Sequence, residues 1–100
     1  MANVLVTGAA GAIGVPVCRE LARRGHTVRG LDTAPMPELA DVHVADLAER
    51  AAVRAAARGM DALVHLGAYP NDADFAQLVG PNVSGLFNVL DAARQEGVRR

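Results

Sequence analysis

The chain contains no lysine and no tryptophan, and all ten of its basic residues are arginine. Every mechanism that needs a lysine amine is therefore absent from these 100 residues, including phosphate capture by the lysine of a P-loop. Hydroxyls are nearly as scarce. Ser84 is the one serine, Tyr69 the one tyrosine, and Thr7, Thr27 and Thr33 the only threonines, which leaves few candidates for a nucleophile or a phenolic acid. The single cysteine, Cys18, permits no internal disulfide and agrees with a reducing compartment. It falls in an apolar helical stripe, where a packed thiol is expected rather than a reactive one. His26, His43 and His65 are scattered, so no metal site is suggested. The N-terminus has no basic region, long apolar stretch or cleavage signal, so neither export nor membrane insertion is indicated, and the expected setting is the cytoplasm.

What is present suits one small domain. Apolar residues make up 51% of the chain, but twenty of them are alanine and only 3% of the chain is aromatic. The core must then be built from Val, Leu and closely approaching Ala-faced helices. Ten basic residues against eleven acidic ones leave a net charge of −1. Such a balance offers no field for nucleic acid or an anionic membrane, and neither is expected as a partner.

Strand-like and helix-like segments alternate. Val4, Leu5 and Val6 form a short apolar run ended by Thr7 and Gly8, the pattern of a strand buried on both faces of a parallel sheet. From Ala12 to Arg24, Ile13, Val17 and Leu21 recur every four residues with Val15 and Cys18 beside them, and Arg23, Arg24 and Gly25 supply a cationic last turn and a C-cap. Further strands are expected at Thr27–Leu31, Val42–Ala45 and Ala62–Leu66. A second helix spans Leu47–Met60, with Leu47, Val53 and Ala57 facing inward. A third spans Ala73–Glu96, with Phe75, Val79, Val83, Leu86, Phe87 and Leu90 at helical spacing and a kink or fresh start at Gly80 and Pro81. Val98, Arg99 and Arg100 stand where a fifth strand should begin. The order predicts an α/β fold: a Rossmann-type parallel sheet of order 3-2-1-4 with helices on both faces, stopping before strand five. An open edge on strand four and an apolar uncovered surface would favour self-association into a homo-oligomer.

The first strand runs straight into Thr7-Gly8-Ala9-Ala10-Gly11-Ala12-Ile13-Gly14. Three glycines at intervals of three between a buried strand and a helix start can serve a tight turn, the approach of phosphate oxygens to the backbone, and close helix–sheet packing. The free N–H groups and positive dipole end of that helix make an anion site without lysine. A plain glycine-rich turn is the alternative, disfavoured by the strand-to-helix setting. Asp32 ends the second strand eighteen residues after Gly14, close to the spacing of about 20 at which an acidic side chain bonds the adenosine ribose. A carboxylate there would repel a 2′-phosphate and Thr33 follows it, so NAD is favoured over NADP. Arg29, three residues earlier, reads as a solvated strand-edge charge, and Asp32 itself could be a turn former.

These residues, with Asp46-Leu47, His65-Leu66-Gly67-Ala68 and Asn82-Val83 followed by Gly85, resemble the N-terminal region of the extended short-chain dehydrogenases/reductases, the NAD-dependent epimerase/dehydratase family. The resemblance covers nearly the whole chain, and the GxxGxxG spacing is the family's. Within it, the stretch from His65 to Arg94 looks most like uronate dehydrogenases, which oxidise sugar acids at C1 with NAD, although sugar-nucleotide epimerases share the framework. The resemblance implies that Gly8, Gly11, Ala12, Ile13 and Gly14 meet the pyrophosphate, with backbone contacts from Ala12 and Ile13. It gives Asp32 the adenosine ribose, Asp46 and the Leu47 amide the adenine, and Leu66, Gly67 and Ala68 a place along the cofactor. Asn82 would lie near the nicotinamide ribose. Asp46 could equally cap the helix after it, Asn82 could be a polar residue at the Pro81 kink, and His65 reads as a packing histidine.

The family's chemistry uses a Ser or Thr, a Tyr, and a Lys four residues beyond that Tyr. Here Tyr69 is followed by Ala73 at that offset and there is no lysine, so no catalytic residue is assigned. The leading expectation is residues 1–100 as the N-terminal NAD-binding segment of an NAD-dependent dehydrogenase or epimerase acting on a sugar or sugar acid. The rival is a complete, non-catalytic NAD(P)-binding or sensing module. A flavodoxin-like domain would need a different phosphate loop and gains nothing from Asp32.

Overall fold

Val4, Leu5 and Val6 are almost wholly shielded from solvent, as their unbroken apolar run requires, and they form the middle of β1 (Asn3–Thr7). The structure, a computed structural model, describes residues 1–68 and 73–100. β1 pairs in parallel with β2 (Thr27–Asp32) on one side and with β4 (Ala62–His65) on the other, and β2 pairs in parallel with β3 (Val42–Val44). The sheet order is β3-β2-β1-β4, the order expected from the sequence.

Alternation along β1 divides the core in two. Val4 and Val6 face α1 (Gly14–Arg23) and pack with Ala9, Cys18, Val28 and Met36. Leu5 faces the opposite layer, where α2 (Arg50–Ala57) and α4 (Gly85–Gln95) supply Val53, Ala56, Ala57, Val89 and Ala92 around Leu5, Leu31 and Leu47. Burying a Leu or Val side chain in this way contributes about 1.5–3 kcal/mol. Cys18 is packed on the α1 side, and burial raises its thiol pKa, so it behaves as a small apolar residue.

α1 ends as its sequence indicates. Gly25 takes φ +90, its N–H donates to the Ala22 carbonyl, and the His26 N–H donates to the Leu21 carbonyl, a closure that satisfies the last orphan carbonyls. α2 is shorter than the expected 47–60, because residues 46–49 form a turn of their own before it.

The third helical segment differs most from expectation. α3 (Phe75–Leu78) passes into a π-helical turn, Val79–Ser84, and then into α4. Pro81 sits in the wide turn, where the missing N–H is tolerated. The buried face of α4 is Gly85, Asn88, Val89 and Ala92. The stripe picked out by spacing lies elsewhere, with Phe75, Val83, Leu86, Phe87 and Leu90 all exposed. Small residues win the inner face because α4 approaches the Leu47 turn closely, and a Cβ on Gly85 would lie 2.9 Å from the Leu47 Cβ.

Arg29 also departs from its expected place. Its side chain is 20% exposed and is not a solvated edge charge: Nε donates to Asp41 at 2.9 Å, and an Nη donates to the carbonyls of Ala56 and Arg58, both at 2.9 Å. It pins the C-terminus of α2 to β2. On the outer side of β4, the Arg99 N–H donates to the Asp61 carbonyl and the Leu63 N–H to the Arg100 carbonyl, where the sequence suggests a further strand.

Candidate functional site

Parallel register aligns Thr7 with Leu31 and with His65, so the loops leaving β1, β2 and β4 emerge side by side. β1 connects towards β2 on one flank and has β4 on the other, which opens a crevice at the strand ends. A groove of about 640 Å³ occupies it.

The glycine loop forms its floor. Gly8 has φ +68, and a Cβ there would meet the Gly67 nitrogen and Leu66 carbonyl carbon at 2.8 Å. Gly14 is tighter: its Cβ would lie 2.0 Å from the Gly8 carbonyl oxygen. Gly11 differs, with its nearest neighbour, the Gly8 oxygen, at 3.3 Å, and it is exposed. The Gly8 N–H donates to Leu31, the Gly11 N–H to Gly8, and the Ala10 N–H to Asp32 Oδ2. By contrast, the amides of Ala12, Ile13 and Gly14 have no acceptor among the described residues. Ile13 occupies the N-cap position of α1, which has no side-chain cap and no acidic residue in its first turn. A helix start of this kind, with unpaired N–H groups and a positive dipole end, is chemically an anion receptor.

Asp32 stands on the β2 side. Besides Ala10, it accepts from the Ala34 N–H through Oδ1 at 2.9 Å, so one carboxylate holds both the glycine loop and the turn after β2. Asp46 Oδ1 accepts from the Ala48 N–H at 2.9 Å, and Glu49 Oε1 lies 3.4 Å from the Asp46 N–H. Asp46 therefore closes the 46–49 turn rather than capping the helix, since α2 starts at Arg50 with Glu49 as an N-cap that makes no side-chain capping bond, and Asp46 also lines the groove.

On the β4 side, Thr7 organises the wall. Its Oγ1 accepts from the N–H groups of Leu66 and Gly67, both at 3.0 Å, and lies 2.7 Å from His65 Nδ1. With its acceptor capacity used, the hydroxyl proton goes to Nδ1, which makes His65 a neutral imidazole protonated at Nε2. Burial pushes the His65 pKa down, in agreement. His65 thus packs and orients, and it is absent from the groove lining.

The groove brings together Gly8, Gly11, Ala12, Ile13, Gly14, Asp32, Asp46, Leu47, Leu66, Gly67 and Ala68. Asn82 is not among its lining residues, although its neighbour Pro81 is. Tyr69 lies outside the described residues. Sequence reasoning missed two residues that shape the site without lining it. Thr7 was legible only as a strand end, and Asn88, whose Nδ2 donates to the Leu47 carbonyl at 2.8 Å, as one polar residue in a helix. Among the described residues no cluster of three or more metal-ligating side chains occurs, and no helix is long and apolar enough to cross a membrane.

Fold and site define a Rossmann-type nucleotide fold, with a parallel sheet of order 3-2-1-4 and a glycine-loop crevice. The sequence profile of the NAD dependent epimerase/dehydratase family matches residues 4–100, and the chain belongs to that family. It is 38% identical to a uronate dehydrogenase of Pseudomonas putida over 98% of its own length and 38% of that protein's. A crystal structure of a uronate dehydrogenase variant from Agrobacterium tumefaciens complexed with NAD superposes with a TM-score of 0.88 at 36% identity, covering 95% of this chain and 37% of that one. A UDP-glucose-4-epimerase from Stenotrophomonas maltophila with bound NAD gives a TM-score of 0.87 at 29% identity, over 99% and 35%. The chain therefore spans well under half the length of these relatives.

Proposed function

We propose that residues 1–100 form one unit, the N-terminal dinucleotide-binding segment of an NAD-dependent oxidoreductase acting on a sugar acid, of the uronate dehydrogenase kind. The observation that carries this reading is the uncapped start of α1, whose Ala12 and Ile13 amides are unpaired among the described residues and open onto a groove that Asp32 borders. A diphosphate fits there, because Gly11 puts no side chain over the backbone while Gly8 and Gly14 keep strand, loop and helix in contact.

In this reading Gly8, Gly11, Ala12, Ile13 and Gly14 hold the pyrophosphate, and Asp32 takes the adenosine ribose. Asp46 and the Leu47 amide meet the adenine, and Leu66, Gly67 and Ala68 flank the remainder. Asn82, beside the lining residue Pro81, is assigned to the nicotinamide ribose. When bound, NAD supplies the hydride acceptor for oxidation of the sugar acid. The names of the relatives, uronate dehydrogenase above all, support the substrate class. A cytoplasmic setting fits the lone buried cysteine.

NAD is favoured over NADP for two reasons. The Asp32 carboxylate borders the groove, and Arg29, the cation nearest to it in sequence on β2, is committed to Asp41 and the end of α2. Titration calorimetry with the two cofactors tests this. We expect Asp32→Ala to weaken NAD about 10- to 100-fold more than NADP, the range of one or two charge-assisted hydrogen bonds, because the lost bond to the Ala10 N–H in the glycine loop affects both cofactors alike. Equal losses for both would remove Asp32 from the ribose.

A further inference from the structure

Asn88 lies on the inner face of α4, 8% exposed, and donates from Nδ2 to the Leu47 carbonyl at 2.8 Å. A carbonyl only accepts, so the NH₂ half of the amide must face it. The N–H of the same peptide unit is held as well, because Ala48 donates to Asp46 Oδ1 at 2.9 Å. The 47–48 peptide is thus clamped between a donor on α4 and a carboxylate one residue upstream. Leu47 completes the clamp: a Cβ on Gly67 would lie 2.8 Å from its Cδ1, and one on Gly85 2.9 Å from its Cβ. With Oδ1 engaged by Ala48, Asp46 Oδ2 has no partner among the described residues, and neither has the Leu47 N–H.

We propose that Asn88 is a positioning residue for base recognition. By fixing the 47–48 peptide, it presents the Asp46 carboxylate and the Leu47 N–H as the acceptor–donor pair that adenine requires. Asn88 touches no ligand and acts through the peptide it holds. The inference rests on the dinucleotide reading above and extends it to a residue on another element, 41 positions away in sequence.

The base chemistry makes the idea separable from a general structural role. Adenine offers a donor at its amino group and an acceptor at N1. Hypoxanthine reverses both, with an oxygen at the same carbon and a hydrogen on N1. The affinity ratio of NAD to nicotinamide hypoxanthine dinucleotide therefore reads the orientation of Asp46 and Leu47, while inorganic pyrophosphate reads the glycine loop alone.

Calorimetric titration of the protein with these three probes tests it. The unaltered protein is expected to prefer NAD by about tenfold or more, the scale of one hydrogen-bond pair lost and left unsatisfied. In Asn88→Leu, which keeps the volume and loses the donor, the preference should fall to within about twofold of unity with pyrophosphate binding unchanged. Asn88→Asp, which sets an acceptor against the Leu47 carbonyl, should behave alike and decides the matter if the leucine variant does not fold by circular dichroism. A folded variant that keeps the full preference for NAD overturns the proposal. If the unaltered protein binds NAD without preferring it over the hypoxanthine analogue, the adenine assignment of Asp46 and Leu47 falls and the role of Asn88 with it. Failure to bind pyrophosphate or either dinucleotide would instead overturn the dinucleotide reading itself.

Discussion

The three glycines of the loop look equivalent in sequence and are not equivalent in space. Gly14→Ala would place a methyl group 2.0 Å from the Gly8 carbonyl and 2.8 Å from the Ala9 Cα, both of them backbone atoms that cannot swing aside. We expect a loss of about 2–4 kcal/mol, as for strong overpacking, visible as a lower urea midpoint. Gly11→Ala has only the Gly8 oxygen to meet, at 3.3 Å, and its φ is not positive. Its stability should change by less than about 1 kcal/mol, while NAD affinity should fall if, as proposed above, the diphosphate lies against the Gly11 backbone. Comparable stability losses in the two variants would contradict this division. The glycine spacing made the loop legible, but which glycine is closely packed and which is open depends on distances to Gly8 and Ala9 that no spacing encodes. Thr7 teaches the same point: its hydroxyl joins β1 to His65, Leu66 and Gly67, residues almost sixty positions away.

At the scale of elements, the seam between α2 and α4 carries the most charge. Arg50 pairs with Asp91 at 3.0 Å, and Arg54 with Glu96 at 2.6 Å. Hydrogen bonds from Arg94, then Arg50 and Gln95, hold the Asp91 pKa below its ordinary value, and one from Arg54 does the same for Glu96. On α1, Arg23 and Arg24 lower Glu20 to about 2. A carboxylate whose pKa is lower folded than unfolded binds fewer protons in the native state. Its contribution is complete above the unfolded value, 3.8 for Asp or 4.5 for Glu, and disappears as the pH falls through the lower folded value. The thermal midpoint should therefore drop between about pH 5 and pH 2, and Arg54→Ala should flatten part of that decline. Added salt should weaken it as well, because these pairs are exposed on the arginine side. A midpoint indifferent to pH over this interval would show that the pairs contribute nothing.

Across residues 1–100 as a whole, several large apolar side chains are exposed. Phe75 is 78% exposed, and Phe87 and Leu90 are each 61% exposed, on a chain with only two phenylalanines. Exposed apolar patches of this kind drive association. We expect the protein to self-associate with rising concentration, and Phe87→Glu to shift it towards the monomer without altering its circular dichroism. Light scattering that finds a monomer at high concentration, or the same mass for the variant, would exclude this face as the cause.

The amino-acid sequence by itself determined the alternation of strands and helices, the sheet order, the glycine loop and the acidic residue on its β2 side. Each of these rests on a local pattern: the unbroken run Val4–Val6, the glycines at intervals of three, the interval from Gly14 to Asp32. Only the tertiary structure decided which face of α4 is buried, where Arg29 goes, and how Thr7 and Asn88 hold the two walls of the groove. The reason is physical. Periodicity reports that a helix has an apolar side, but it does not report how near the neighbouring chain comes. At Gly85 and Asn88 that nearness favoured a missing side chain and an amide over the phenylalanine and leucines of the more hydrophobic stripe.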